Sequence, residues 1–484
     1  MESGYQLVSA LFIRLLGIIY LVAFISIAPQ IDGLAGSHGI LPFHQQLEYF
    51  AGQHGIGRYL LMPNLFWLND SDKALQAAAV AGCLVSILII LNYVQRFALV
   101  AAFVLYLSLY YAGQLFMNFQ WDALLLEAGF LAIFLNPRSR IIILLFRWLL
   151  FRLRFMSGLS KLSLQDPTWS GLTALNTYFE VQPLPAPLAW YAQQLPEWIL
   201  KVGTASTLVI ELVVPFMMFL PRRYRFVAAW ITIFWQILIL LTSNHNWFNI
   251  LTIFLCLFLF DDKAVKKVIP NRLQNLLLKD TPAPSNNPVA RIFPRVLAVF
   301  IVFVSAVQIV ELATMKQSTG WIHSVVNLGE TYRIVTKYHV FPTMKTERIE
   351  LEISGSQDGT TWKTYEFRYK PQDPYTRPEF IVPHQPRLDW MMWFVTLHPM
   401  FMPWFDQFLH RLLENSPQVI ALLKNNPFPD SPPRFIRVEA YRYRFTTFEE
   451  RKKTGQWWHR EALGPFTPLP WLQQWSPVNA RPAP

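Results

Sequence analysis

Over its first 313 residues the chain alternates long apolar blocks with short polar or basic interruptions, and beyond them it changes to period-two patterning. Nine apolar segments stand out, at 7–28, 74–91, 97–116, 119–135, 141–159, 198–220, 226–242, 248–260 and 292–313. Most approach the roughly 17–25 residues that a helix needs to cross about 30 Å of hydrocarbon. They predict a polytopic α-helical membrane bundle of about nine transmembrane helices over 1–313, with long outer loops at 28–73 and 162–197. Further on, 348–353 and 365–370 alternate polar and apolar residues on either side of SGSQDGT, which predicts a β-hairpin with one buried face. A third alternating run covers 435–445. Between them, 387–423 reads as helical, with Trp390, Met391, Met392, Trp393, Phe394, Trp404 and Phe405 crowded near its start, either a domain core or a membrane-interface surface. The tail after Thr446, rich in Pro and Trp, is expected to wrap without a regular element. Residues 314–484 are therefore expected to form a β-rich, sandwich-like α+β domain with inserted helices.

Composition supports the membrane reading: 53% of residues are hydrophobic and 15% charged, against a usual charged share of about 25%. The net charge of +11 would raise the question of nucleic acid in a soluble chain. Here the basic residues gather after every second span, in YVQR (93–96), NPRSR (136–140), PRRYR (221–225) and 261–291, where they act as orientation signals. This places the amino terminus in the cytoplasm. It puts 28–73, 162–197 and the C-terminal domain on the luminal or periplasmic side, and no nucleic-acid partner is expected. Residues 261–291 read as a cytoplasmic connector with a flexible end at 281–288. The first segment carries Arg14 and no small-residue cleavage site, so it is read as a retained span. Cys83 and Cys256 both lie in apolar runs, without CxxC or Cys/His clustering, which argues against thiol exchange and structural zinc.

Charged residues inside the apolar blocks are the candidate chemistry. Asp122 and Glu127 lie in the fourth, Glu211 in the sixth and Glu311 in the ninth, against Arg14 in the first and Arg147, Arg152, Arg154 and Lys161 along or just beyond the fifth. Arg147, Arg154 and Lys161 recur every seven residues, close to two helical turns, so they share a face. Buried charges pair, and the short loop between the fourth and fifth segments makes them an antiparallel hairpin. The expected outcome is an Asp122/Glu127 to Arg154/Lys161 network near the outer surface, beside the polar-aromatic stretch 166–185. Such a network serves either to fix helix register or to line a site. In the second case Lys161 would be a base and Asp122 and Glu127 would line a mostly apolar pocket for a lipid or quinone, of roughly 300–1,000 Å³. The histidines show no metal-ligand spacing, and Walker, Rossmann and GxSxG motifs are missing, so no metal and no cofactor are expected.

Long runs carry a family resemblance: NFQWDALLLEAGF (118–130), DPTWSGLTAL (166–175), YFEVQPLPAPLAWY (178–191), PHQPRLDW (383–390), NPFP (426–429) and YRYRF (441–445). Together these resemble the lipase maturation factors, over nearly the whole chain. The resemblance implies a membrane-anchored factor that helps secreted homodimeric lipases fold and assemble. Its expected place is the endoplasmic reticulum membrane, or the inner membrane in a bacterium, and its expected partner is a folding client. The residues carried over as structural or client-contacting are Gln120, Trp121, Asp122, Glu127, Arg154, Lys161, Pro167, Trp169, Tyr178, Glu180, Gln182, Pro183, Arg387, Asp389, Trp390, Arg442 and Tyr443. Trp169, Tyr178 and Trp390 are expected as exposed contact surface. The membrane half is also distantly similar to the membrane domain of vitamin K-dependent carboxylases, through RLLG (14–17), GSHGILP (36–42), FMSGLSKL (155–162) and Trp169. That likeness implies Lys161 as a base toward a quinol.

Overall fold

The computed structural model of the chain describes residues 4–278 and 288–466. The expected flexible stretch of the connector and the last part of the tail lie outside the described residues. The first part is a helical bundle whose principal members are α1 (Gln6–Ile27), α2 (Phe43–His54), α3 (Asp72–Ile90), α4 (Gln95–Ala112), α5 (Gln120–Ile133), α6 (Arg140–Ser163), α7 (Ala174–Val181), α8 (Glu197–Leu212), α9 (Arg222–Thr242), α10 (Phe248–Leu255) and α11 (Pro288–Thr314). Two of them start on side-chain caps, which satisfy otherwise orphaned N–H groups of a first turn. Ser71 accepts from the Ala74 N–H at the start of α3, and Ser139 from the Ile142 N–H at the start of α6.

Among the described residues, five helices are long and apolar enough to cross a membrane: Gln6–Ile27, Asp72–Ile90, Gln95–Ala112, Arg222–Thr242 and Ile292–Thr314. The chain is an integral membrane protein. The other four expected spans take different forms. Helix α5 has 14 residues; α6 has 24 but carries Arg140, Arg147, Arg152, Arg154 and Lys161; α8 breaks at Val213; and α10 passes into a tight turn at Cys256–Leu259. Burial explains α5 and α6. Every side chain of α5 from Trp121 to Ala128 is buried, and α6 packs between α8 and α11. A helix walled by protein needs neither the length nor the unbroken hydropathy that lipid demands.

The C-terminal part contains α12 (Gly320–Thr331), β1 (Arg348–Ser356), β2 (Lys363–Thr364), α13 (Arg387–Val395), α14 (Met402–Leu413), β3 (Phe435–Phe445) and β4 (Trp458–Pro465). The strands form one antiparallel sheet in the order β2-β1-β3-β4. Strand β3 fulfils the third alternating run and pairs with β1 from Arg348↔Tyr443 to Ser356↔Phe435. The expected hairpin is corrected: β1 returns only to Lys363 and Thr364. Residues 365–370 leave the sheet because Asp389, on α13, accepts the Tyr369 and Lys370 N–H groups at 2.7 and 3.0 Å. The tail is corrected too, since it holds β4. This is an edge strand with most side chains uncovered, and so it lacks the one-sided burial that writes an alternating pattern.

Among the described residues there is a single sheet; α13 and α14 pack against it, in place of the second sheet of a sandwich. Pro399, Pro403 and Pro417 divide the expected helix at 387–423, each able to start a helix but not to continue one. Trp390, Met391, Met392, Trp404 and Phe405 are buried core, not an interface surface.

Candidate functional site

The motif residues converge on the seam where the C-terminal part seats on the bundle. At the first turn of α5, the Asp122 carboxylate takes a bidentate pair from Arg387 of α13, at 2.6 and 2.8 Å, and the Tyr106 hydroxyl at 2.6 Å. Arg387 also donates to the Phe116 carbonyl at 3.0 Å. A planar guanidinium fork fits a carboxylate in this way, and burial of both ions makes each dependent on the other. Trp121 and Trp390 meet edge to face at 5.0 Å, and Gln120 accepts the His339 N–H at 3.3 Å. The C-terminal end of α1 joins the same seam: Gln30 accepts the Arg387 N–H at 2.8 Å, and Ser26 meets His384 at 2.9 Å.

Five residues beyond Asp122 along α5, about 7.5 Å by helical rise, Glu127 pairs with Arg152 of α6. Both ions bind backbone as well as each other. Glu127 accepts the Thr336 N–H at 3.2 Å and the Tyr338 hydroxyl at 2.9 Å, while Arg152 donates to the Thr336 carbonyl at 3.2 Å. Gln308 reaches the Val335 carbonyl at 3.3 Å and Lys161 the Val340 carbonyl at 2.7 Å. The non-helical run 335–340 thus drops into the end of the bundle that meets the C-terminal part, with its polar groups held by side chains from α5, α6 and α11. Irregular backbone inside a membrane protein is tolerated where protein satisfies it in this manner.

The expected Asp122/Glu127 to Arg154/Lys161 network is corrected in its pairing. Arg154 and Lys161 turn to Glu211 on α8, at 3.3 and 2.8 Å. Helical geometry gives the reason, since residues two apart lie about 200° apart. Arg152 faces α5, while Arg154 and Lys161 share the face toward α8. Arg147, one further repeat inward, bonds to Tyr5 and to the Phe258 carbonyl. Lys161 has acceptors for all three of its donors, in Glu211, the Val340 carbonyl and the Ser157 carbonyl at 3.3 Å, and sits 4.9 Å over the Trp169 ring. An ammonium bonded in this way has no lone pair to offer as a base.

The loop after α6 completes the seam. Asp166 caps the turn begun by Pro167 and also accepts the Met344 N–H at 3.2 Å. Trp169 is buried under Lys161, and Tyr178 bonds to Ser243 at 2.9 Å and His245 at 3.1 Å. Trp169 and Trp390 are therefore packing, not the exposed contact surface expected of them, and Tyr178 is half-buried. Arg348 of β1 inserts its guanidinium among the carbonyls of Glu180, Gln182 and Pro183 and pairs with Glu350 at 2.5 Å. Glu180 in turn accepts the Phe445 N–H at 2.6 Å. Burial pushes the Glu180 carboxyl up, opposed by that N–H and by Arg348 and Arg444. Burial between Tyr178, Phe341 and Trp390 pushes the His245 imidazole down to about 4. Tyr443 donates to the Gln372 carbonyl at 2.6 Å. Arg442 stands apart, part-exposed on the sheet between Glu461 and Glu347.

Two comparisons bear on identity. Residues 7–267 match the Lipase maturation factor transmembrane domain, and 334–468 match the Lipase maturation factor C-terminal domain. The chain belongs to the lipase maturation factor family. It is 33% identical to Lipase maturation factor 2 of Xenopus laevis, over 97% of this chain and 83% of that one. It is 32% identical to Lipase maturation factor 1 of Mus musculus, over 96% and 87%, and 29% identical to Lipase maturation factor 2 of Homo sapiens, over 96% and 83%. No solved structure matches.

In this lipase maturation factor chain several site residues carried no motif signal. Arg348 sits in an alternating strand where a basic residue reads as solvent-facing, and Tyr106 and Tyr338 look like ordinary aromatics. Glu211 was visible as an acid in an apolar block, but its partner could not be assigned without the packing of α8 on α6. Among the described residues two shallow, open concavities stand out. One, of about 380 Å³, lies on the sheet side between Glu352, Lys370, Arg377 and Arg460; the other, of about 320 Å³, lies on the flank of α8 at Val202–Ile210. Neither is lined by Lys161, Asp122 or Glu127. Among the described residues there is no cluster of three or more metal-ligating side chains.

Proposed function

We propose that this protein is a membrane-anchored maturation factor for secreted proteins, with lipases as its clients. The observation that carries the reading is the seam itself: the family-like residues are spent on fastening the C-terminal domain to the bundle, as a platform requires. The names of the relatives supply the client class. The bundle crosses the membrane with the amino terminus on the cytoplasmic side and the C-terminal domain on the luminal or periplasmic side. Nine crossings follow if α5, α6, α8 with its continuation, and α10 with its turn are counted with the five long helices.

Support for this orientation comes from the basic loops. Arg222 pairs with Asp261 at 2.6 Å and Arg225 reaches the Leu259 carbonyl, close to the amino-terminal turn, where Asp262 accepts the Gln6 and Val8 N–H groups. Clustered Arg and Lys at that end fit a cytoplasmic face. A host with an endoplasmic reticulum would hold the protein there. Client contact then belongs to surfaces outside the buried motif residues.

The test is removal of the protein from its host, followed by measurement of secreted lipase mass and specific activity. Both fall, and both return on re-expression, if lipases are clients; unchanged mass and specific activity would reject them.

A further inference from the structure

The loop between α1 and α3 leaves a run of large apolar side chains uncovered at the end of the bundle that carries the C-terminal domain. Ile56 and Leu68 are 88% and 87% exposed and Leu60 69%, with Leu61 and Leu65 also open. Over residues 55–68 the single charge is Arg58. Its guanidinium lies 4.8 Å from the Tyr59 ring and 5.0 Å from the Trp67 ring, and it donates to the Tyr59 hydroxyl at 2.8 Å. Helix α2, just before, is more polar: it buries Phe43 and Leu47 and presents Gln45, Glu48, Tyr49 and Gln53 on its open side.

The depth of this tip is set by one bond. The Leu65 N–H donates to the Ser108 hydroxyl at 2.9 Å, and Ser108 lies four residues before the end of α4 at Ala112. Four residues of helix rise about 6 Å, and the 18 residues of α4 cover about 27 Å. The contact therefore falls inside the apolar slab that α4 crosses. Phe66 is anchored edge to face on Phe43 at 5.8 Å, so the tip is held there. Leu68 is followed by exposed Asn69, Asp70 and Ser71, the last of which caps α3, and the outward face of α3 exposes Val80, Leu84 and Ile87 from two turns farther on. Interfacial segments seat their apolar side roughly 5–10 Å into the headgroup and acyl boundary, with Trp, Tyr and basic residues at headgroup level.

We propose that residues 55–68 form a lipid-inserted wedge, occupied by the leaflet on the side of the C-terminal domain. Ile56, Leu60, Leu61 and Leu68 lie among acyl chains, and Arg58, held between Tyr59 and Trp67, sits at the phosphate level. The assignment rests on the depth that the Leu65–Ser108 bond sets against α4 and on the exposed apolar side chains around the single, ring-held Arg58, and it holds whichever way the bundle is oriented.

The test uses the full chain in phosphatidylcholine nanodiscs, with Cys83 and Cys256 replaced by Ala. Single cysteines are introduced as Ile56→Cys, Leu60→Cys, Leu68→Cys and, as a water-facing control, Glu48→Cys, each labelled with an environment-sensitive fluorophore. The first three are expected to shift to the blue, to resist iodide, and to be quenched roughly twofold more by lipids with a shallow spin label than by those with a deep one, as a boundary depth requires. The Glu48→Cys label is expected to follow iodide alone. Iodide quenching of the three tip labels to the level of Glu48→Cys would overturn the proposal. So would protection from both quenchers, the signature of a second copy or another protein covering the face. The tip side chains are exposed, so unchanged thermal unfolding is expected of all four variants, and agreement among three positions does not depend on any single one folding.

Discussion

At the residue scale, the buried charges act as clamps, and their removal should show a definite order of severity. Arg387→Met strands the Asp122 carboxylate in a buried site, where breaking a buried pair costs about 3–5 kcal/mol. Glu211→Gln leaves Arg154 and Lys161 facing each other without a counter-charge, whereas Lys161→Met still leaves Arg154 on Glu211. Thermal unfolding in detergent should therefore rank Glu211→Gln as the more damaging of these two. Lys161→Met should cost about 1.5–3 kcal/mol, the scale of a charged hydrogen bond. It should lower abundance while leaving function per molecule intact. Abolished function at normal abundance would restore Lys161 to a chemical role.

His245 gives a pH signature. Its folded value of about 4 lies below the ordinary 6.5, so between these the unfolded chain binds a proton that the folded chain refuses. Stability is then complete above about pH 6.5 and is lost as pH falls toward 4, by on the order of 3 kcal/mol from this group. Thermal melts at pH 7 and pH 5 should differ less in His245→Gln than in the parent chain.

At the element scale, the non-helical run 335–340 is fastened by Gln120, Glu127, Arg152, Lys161 and Gln308. Hydrogen exchange should find the Thr336 amide among the slow ones although it belongs to no helix or strand, and Glu127→Gln should speed it more than amides of the sheet. Exchange as fast as in an exposed turn would mean that the run is not clamped.

The clamping of this run leaves no trace in local sequence pattern. Apolar blocks exposed five long spans directly, because lipid imposes length and composition together. Helices α5 and α6 are visible as apolar blocks, yet their local spacing does not specify the partners of Asp122, Arg154 and Lys161. The true partners, Arg387 for Asp122 and Glu211 for Lys161, come from segments far away in sequence. The period-two run at 365–370 failed for a related reason, since Asp389 draws its backbone out of the sheet and no local pattern announces that. Strand β3 was legible because it is central and one-sided; edge strand β4 was not.

At the scale of the whole molecule, the bundle and the C-terminal part behave as a single unit stitched by Asp122–Arg387, by the 335–340 run and by Arg348 among the 180–183 carbonyls. If the proposed orientation is right, a cysteine placed in the 136–140 loop and one placed in the turn at 357–361 should label from opposite sides of sealed vesicles. Labelling of both from one side would reverse the assignment. The central structural claim is that the family-like charges lock the two parts together, and a double-mutant cycle between Asp122→Asn and Arg387→Met, read as thermal unfolding of the purified full chain, tests it most directly. The account predicts that each single change lowers stability strongly and that the double variant loses clearly less than the sum. Additive losses, or single variants that melt like the parent, would contradict it.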